Sequence, residues 1–292
     1  MKKFLGLFSA MFMMAALFCS CDDDNGGGDT ITEQSLTSCF EHVVDLTTGA
    51  TADYKNVGYQ IRLNYTKATA DVYITNLQTP DGTTYPTMAL SNLKWKIDSN
   101  EKIVVTGTNV VPSISGYINV PTFSSFKLEL LHRIIGESYL PSFCFNYTLN
   151  NKYSIVSSDA NAFFYGETTS TSEDGMAFKC ETTSYQLAFN IDTKRLSIDL
   201  GGAQFLAGMP AMDIVFDEIP FTFDGTTIKW AVESLTPKIG GTPYPAFPIT
   251  NLYGEYKVGD ALDMDFICTP ATAPGSYSIN VECNVKDTGI EE

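Results

Sequence analysis

Side chains able to do acid–base, nucleophilic or metal chemistry are few in this sequence and poorly grouped. There are two histidines, His42 and His132. A Ser–His or Cys–His engine needs a base beside its nucleophile and a carboxylate to orient that base. His42 follows Glu41 and His132 precedes Arg133, and no Gly-x-Ser-x-Gly or His-Glu-x-x-His frame surrounds either. Both read as surface residues. The acids Asp213/Asp217/Glu218 and Asp260/Asp263/Asp265 suggest calcium by type, but the Asp-x-Asp-x-Asp-Gly frame ending in Glu is missing. Asp263 and Asp265 alternate about Met264 as the wet face of a strand would. No Cys or His pair has zinc-ligand spacing, and no glycosidase pair can be named among 34 acids. The chain is therefore expected not to be an enzyme, with no catalytic residue, metal or cofactor.

Five cysteines follow the amino-terminal region: Cys39, Cys144, Cys180, Cys268 and Cys283. An odd number excludes a complete disulfide framework. Cys144 and Cys268 lie in apolar strands and read as small buried hydrophobes. Cys180 and Cys283 lie near the first and last strands of the second half, so closure of a barrel there would allow a bridge between them. Trp95 and Trp230 each sit in an alternating apolar set and read as core rather than as sugar platforms. Tyr85, in Thr84-Tyr85-Pro86, and Tyr244 to Pro248 are the better candidates for exposed loop aromatics.

The elements that must position these residues begin with an address. Met1-Lys2-Lys3 precedes an uncharged apolar run from Phe4 to Phe18. That run is short of the roughly 20 residues a membrane span needs and has the form of a secretory signal. Ser20-Cys21 at its end resembles the lipobox of bacterial lipoproteins, with Phe18 where Leu is usual. The resemblance implies cleavage before Cys21 and acylation of its thiol. Asp22, Asp23 and Asp24 resemble the export signal of Bacteroidetes surface lipoproteins, and Asp29-Thr30-Ile31 resembles an O-glycosylation motif of that phylum. The same acidic, Gly-rich stretch also serves as a solvated tether. The expected location is the outer membrane, facing outward, held by the lipid. With 18 Lys+Arg against 34 Asp+Glu and a net charge of -16, the chain lacks the basic face that nucleic-acid binding requires.

The body of the chain reads as written twice. Gly58 to Asn64 returns as Ser184 to Asn190, Tyr85 to Met88 as Met209 to Met212, and Ile97-Asp98 as Phe223-Asp224. Pro121 to Phe123 returns as Pro248 to Thr250, Cys144 as Cys268, and Tyr153 to Ile155 as Tyr277 to Ile279. Aligning Phe40 with Phe164 extends the match to the start of each unit. Such a long period means duplicated domains rather than a solenoid. Within each unit the apolar period is two, as in Tyr59-Ile61-Leu63, Tyr185-Leu187-Phe189 and Leu262-Met264-Phe266. Asp98-Ser99-Asn100, Asp192-Thr193-Lys194 and Asp224-Gly225-Thr226 supply turns. Ser125 to Ile135 leaves helix and strand both open.

The expected fold is all-β: two tandem antiparallel barrels or sandwiches after a lipoprotein signal. The expected divisions are a signal peptide over 1–20, a tether over 21–35, and β repeats over 36–157 and 158–292. Each repeat resembles the calycin-like β-barrel domains of Bacteroidetes lipoproteins, through the Tyr-x-[Leu/Ile] strand, the Pro-x-x-Met strand end and the closing Gly275-Ser276-Tyr277-Ser278-Ile279. That resemblance implies room for a small apolar molecule inside each barrel. The expected function is a non-catalytic surface binding module for a small molecule, glycan or protein. The alternative is a fimbrillin-like structural or adhesive subunit. Against it, no Arg precedes Arg62 and the mature chain's first Lys is Lys55, so a removable leader is hard to place.

Overall fold

The computed structural model describes residues 29–284, except 132–133, 136–137, 140–141, 272 and 274. Strands β1 (Ile31–Asp45), β2 (Thr51–Asn64), β3 (Thr69–Thr75), β4 (Met88–Ile97), β5 (Ile103–Val110) and β6 (Phe123–Leu131) run as an antiparallel meander. A short hairpin, β7 (Ile134–Ile135) and β8 (Ser138–Tyr139), leads to β9 (Ser142–Leu149) and β10 (Tyr153–Asp159), and β10 pairs with β1 to close an eight-stranded barrel. The meander then repeats through β11 (Asn161–Ser172), β12 (Ala177–Asn190), β13 (Arg195–Ala203), β14 (Met212–Phe223) and β15 (Thr227–Leu235). After a hairpin of β16 (Lys238–Ile239) and β17 (Thr242–Pro243) come β18 (Ile249–Lys257), β19 (Ala261–Cys268) and β20 (Tyr277–Asn284). Pairing of β11 with β20 closes this second eight-stranded ring. The fold is thus all-β, two barrels in tandem, and Ser125 to Leu131 is strand.

Alternation drives the folding of each strand. In β19, Leu262, Met264, Phe266 and Cys268 are buried while Asp263 and Asp265 face water, the pattern of a sheet with one wet side. The buried faces point inward, so both barrels are apolar inside and polar outside, the reverse of a membrane-spanning barrel. Turns use the expected chemistry. The Asp98 carboxylate accepts the amides of Asn100 and Lys102, and that of Asp224 accepts Thr226 and Thr227. Asn150 and Asn151 take φ of 54° and 53° between β9 and β10, as a tight hairpin with two left-handed residues requires.

Large side chains fill both interiors. Phe123, Phe126, Phe145, Tyr59 and Tyr147 cluster in the first, with Tyr59 stacked on Phe145 at 3.8 Å. Tyr185, Phe164, Phe205, Phe216 and Phe266 do so in the second. An eight-stranded barrel is just wide enough for side chains to occupy it. Any apolar guest of the kind the resemblance implies would have to share the interior with these rings.

The two barrels meet side to end. A bulge in β1 between Leu36 and Phe40 resets its alternation, so Cys39, Glu41 and Val43 point inward while Phe40 and His42 point out. Phe40 enters the core of the second barrel, edge-on to Phe189 (6.3 Å) and Phe223 (5.4 Å). Leu131 joins it there. Burial of Phe40 is worth about 1.5–3 kcal/mol. Around this plug, Lys194 pairs with Asp53, Lys55 with Asp192, and Lys102 with Asp260 at 3.3 Å.

Strand register corrects several expectations. Tyr59 lies opposite Leu36 and Tyr185 opposite Phe164, so Phe164 is the counterpart of Leu36, not of Phe40. Glu129 faces Cys144 and Glu255 faces Asp263, while Tyr153 faces Leu149 and Tyr277 faces Cys268. Cys144 therefore matches Asp263, and Cys268 matches Leu149. Cys268 is buried inside the second barrel, but Cys144 lies on the outer side of β9 against Gly259. Cys180 is on the second strand of its barrel, with β11 between it and Cys283 on β20. Two inter-strand spacings of about 4.8 Å exceed the reach of a disulfide, and neither cysteine is in a disulfide. His42 is buried rather than on the surface, and Tyr85 is buried at 8% exposure.

Candidate functional site

Three places gather functional groups: the distal loops of the first barrel, its interior carboxyl, and the junction. The chain enters the first barrel at Asp29, whose carboxylate takes bonds from Asn64 and Lys67 at the β2–β3 turn. At the opposite end lie two long loops, 76–87 and 111–122. Asp81 organises the first by accepting Thr79 Oγ1, the Thr83 amide and the Tyr153 hydroxyl. Burial raises the Asp81 carboxyl and these hydrogen bonds outweigh that, bringing it down to about 2. Tyr85 packs against Tyr117 at 5.8 Å, and Ala89 and Ser113 exchange backbone bonds at 2.9 Å, tying the two loops together. On this braced end, apolar tips stand in water: Ile118 is 96% exposed, Val111 64% and Leu46 55%. The loop aromatics divide, since Tyr244 is exposed on the second barrel while Phe247 is buried with Tyr85.

Inside the first barrel, Glu41 is fully buried. The hydroxyls of Tyr59 (2.8 Å) and Tyr147 (2.6 Å) both donate to its Oε1, and its Oε2 has no partner. Burial raises its carboxyl to about 7 against the pull of the two tyrosines. Nothing in the sequence marks Glu41 as interior except the odd charge in an apolar stretch, and the β1 bulge that turns it inward is invisible there.

At the junction, His42 Nδ1 lies 2.7 Å from Asp53 and its ring stands edge-on to Phe223 at 5.0 Å. Asp53 is raised by burial, but His42 and Lys194 bring it below the usual range. Asp159 is raised to about 6 by burial. A cleft of about 520 Å³ opens between the barrels, where Lys102, Glu129 and Cys144 face Thr226, Lys257 and Asp260. Burial pushes the Cys144 thiol up to about 12, so it is a poor nucleophile.

Asp213 and Asp217 lie close enough to Asp199 that both add to the effect of burial in raising its carboxyl. Asp213 accepts the Gly202 amide and Asp217 pairs with Lys238. Trp230 is core, while Trp95 is half-buried at the strand end, its indole donating to the Asn64 and Thr69 carbonyls. Cys21, Asp22, Asp23 and Asp24 lie outside the described residues, as does His132.

No protein-family model and no curated protein matches the chain. Among solved structures it is similar to a candidate outer membrane protein from Bacteroides fragilis, at 12% identity and a TM-score of 0.35, covering 86% of this chain and 96% of the other. It is also similar to transferrin binding protein B from Haemophilus parasuis, at 8% identity and a TM-score of 0.25, covering 86% and 76%. Likenesses this distant carry no inference about function, and the two-barrel fold stands on the strand pairing itself.

Proposed function

We propose that this protein is a non-catalytic lipoprotein of the outer membrane, acylated at Cys21 and facing outward, that engages a protein partner through the distal loops of its first barrel. The observation that supports it is polarity. The chain arrives at one end of that barrel, beside Asn64 and Lys67, and the braced loops with exposed Ile118, Val111 and Leu46 occupy the other. Exposed apolar side chains on a fixed frame suit a protein surface. A glycan would be better served by aromatic platforms, and a guest inside the barrel would have to share the interior with its core rings. For the alternative, a structural or adhesive subunit, both sheets close on themselves among the described residues, which gives no support to strand-to-strand polymer growth at an open sheet end.

Two measurements test this reading. Cys21→Ala should move the protein from membrane to soluble fractions, and retention on the membrane would refute the anchor. A photo-crosslinking residue at Ile118 should give a discrete adduct on intact cells, whereas one at Tyr65, at the tether end, should not. Equal labelling from both sites, or none from Ile118, would refute the loop surface.

A further inference from the structure

The duplication supplies an internal control for the buried carboxyl. Glu41 lies opposite Tyr54 on β2 and Ser157 on β10, and Thr168 takes the same place in the second barrel, opposite Cys180 and Val281. Tyr185 stands where Tyr59 does, and Phe266 where Tyr147 does. Thr168 and Tyr185 share a hydrogen bond between two neutral hydroxyls. The barrel therefore closes around an uncharged pair, and the carboxyl is an addition that its architecture does not require.

Glu41 also lacks a counter-charge. The titratable groups that face it are Cys39 on its own strand, Tyr54 and Tyr59 on β2, and Tyr147 on β9; β10 offers the hydroxyl of Ser157. All of these are acids or neutral donors, with no lysine, arginine or histidine among them. His42, the next residue, points out of the barrel to Asp53. An anion there keeps two tyrosine bonds on Oε1 but leaves Oε2 charged and unpaired in an apolar interior, the most costly state for a buried acid.

We propose that Glu41 is a proton-binding site that makes the first barrel, and not the second, tighten as the medium acidifies. The sign follows from linkage. The folded carboxyl binds its proton more strongly than the unfolded one, so folding is favoured below the unfolded value of 4.5 and loses that advantage as pH rises to about 7.

The test compares the full chain in detergent micelles with Glu41→Gln and with Glu41→Thr, the residue of the second barrel. Hydrogen exchange of β1, β2, β9 and β10 reports the first barrel, and that of β11 to β20 the second. Relative to either variant, wild-type first-barrel opening should increase on the order of 100-fold between about pH 4.5 and 8, with the second barrel unchanged. Near pH 6 the infrared spectrum of wild type should carry a protonated-carboxyl band over and above the Asp159 contribution that both variants share. Parallel pH profiles, an equal effect in both barrels, or no such band would overturn the proposal. If Glu41→Gln does not fold, Glu41→Thr carries the comparison alone.

Discussion

Each barrel solves the same packing problem with different residues. Trp230 lies opposite Gly254 on β18, and at the matching positions of the first barrel Val105 lies opposite Leu128. A large ring over a glycine replaces two medium side chains, conserving volume in a close-packed interior. A Cβ at Gly254 would overlap the Trp230 indole. Gly254→Ala should therefore destabilise the second barrel by about 1–3 kcal/mol, measured by denaturant unfolding. Trp230→Val in the same chain should recover part of the loss, since the pair then approaches the smaller arrangement of the first barrel. The sequence shows Trp230 as core by alternation, but its partner glycine is visible only in the pairing of strands 24 positions apart.

Among elements, β1 has the widest reach. It closes the first barrel against β10, turns Glu41 inward through its bulge, and sends Phe40 outward into the second core. A regular strand could not serve both sides in this way, because alternation would keep Phe40 and Leu36 on one face. Phe40→Ala removes the plug between the barrels and should cost about 3–5 kcal/mol. Calorimetry should then resolve two transitions further apart than in wild type; a single unshifted transition would show that the plug contributes nothing. The surrounding ion pairs are mostly exposed, so Lys55→Ala should change stability by no more than about 1 kcal/mol.

For the molecule as a whole, opposing titrations bound the range of stability. Glu41 and Asp159 have folded carboxyls raised by burial to about 7 and about 6, so their contribution is present at low pH and fades as pH climbs through those values. Asp81 is lowered to about 2, so its contribution is present above the usual carboxylate value of 3.8 and is lost as pH falls towards 2. A net charge of -16 adds self-repulsion as more carboxyls ionise. The thermal midpoint should therefore peak on the acid side of neutrality, at about pH 4–5, and a maximum at pH 8 would contradict this assignment. At the same scale, the first barrel is polarised end to end, with Asp29, where the chain enters, at one end and the loops 76–87 and 111–122 at the other.

Alternation of period two, turn residues and collinear repetition were enough to read two β modules from the sequence, because each depends on neighbours a few residues apart. Barrel closure, the inward turn of Glu41, the burial of His42 and the separation of Cys180 from Cys283 were not readable in this way. They depend on one bulge and on which strand lies between which, and neither leaves a periodic trace. The expected pairing of Phe40 with Phe164 failed for that reason: side-chain type matched while register, set by hydrogen bonds between distant strands, did not. Local chemistry wrote the strands, and long-range pairing decided which side chains share an interior.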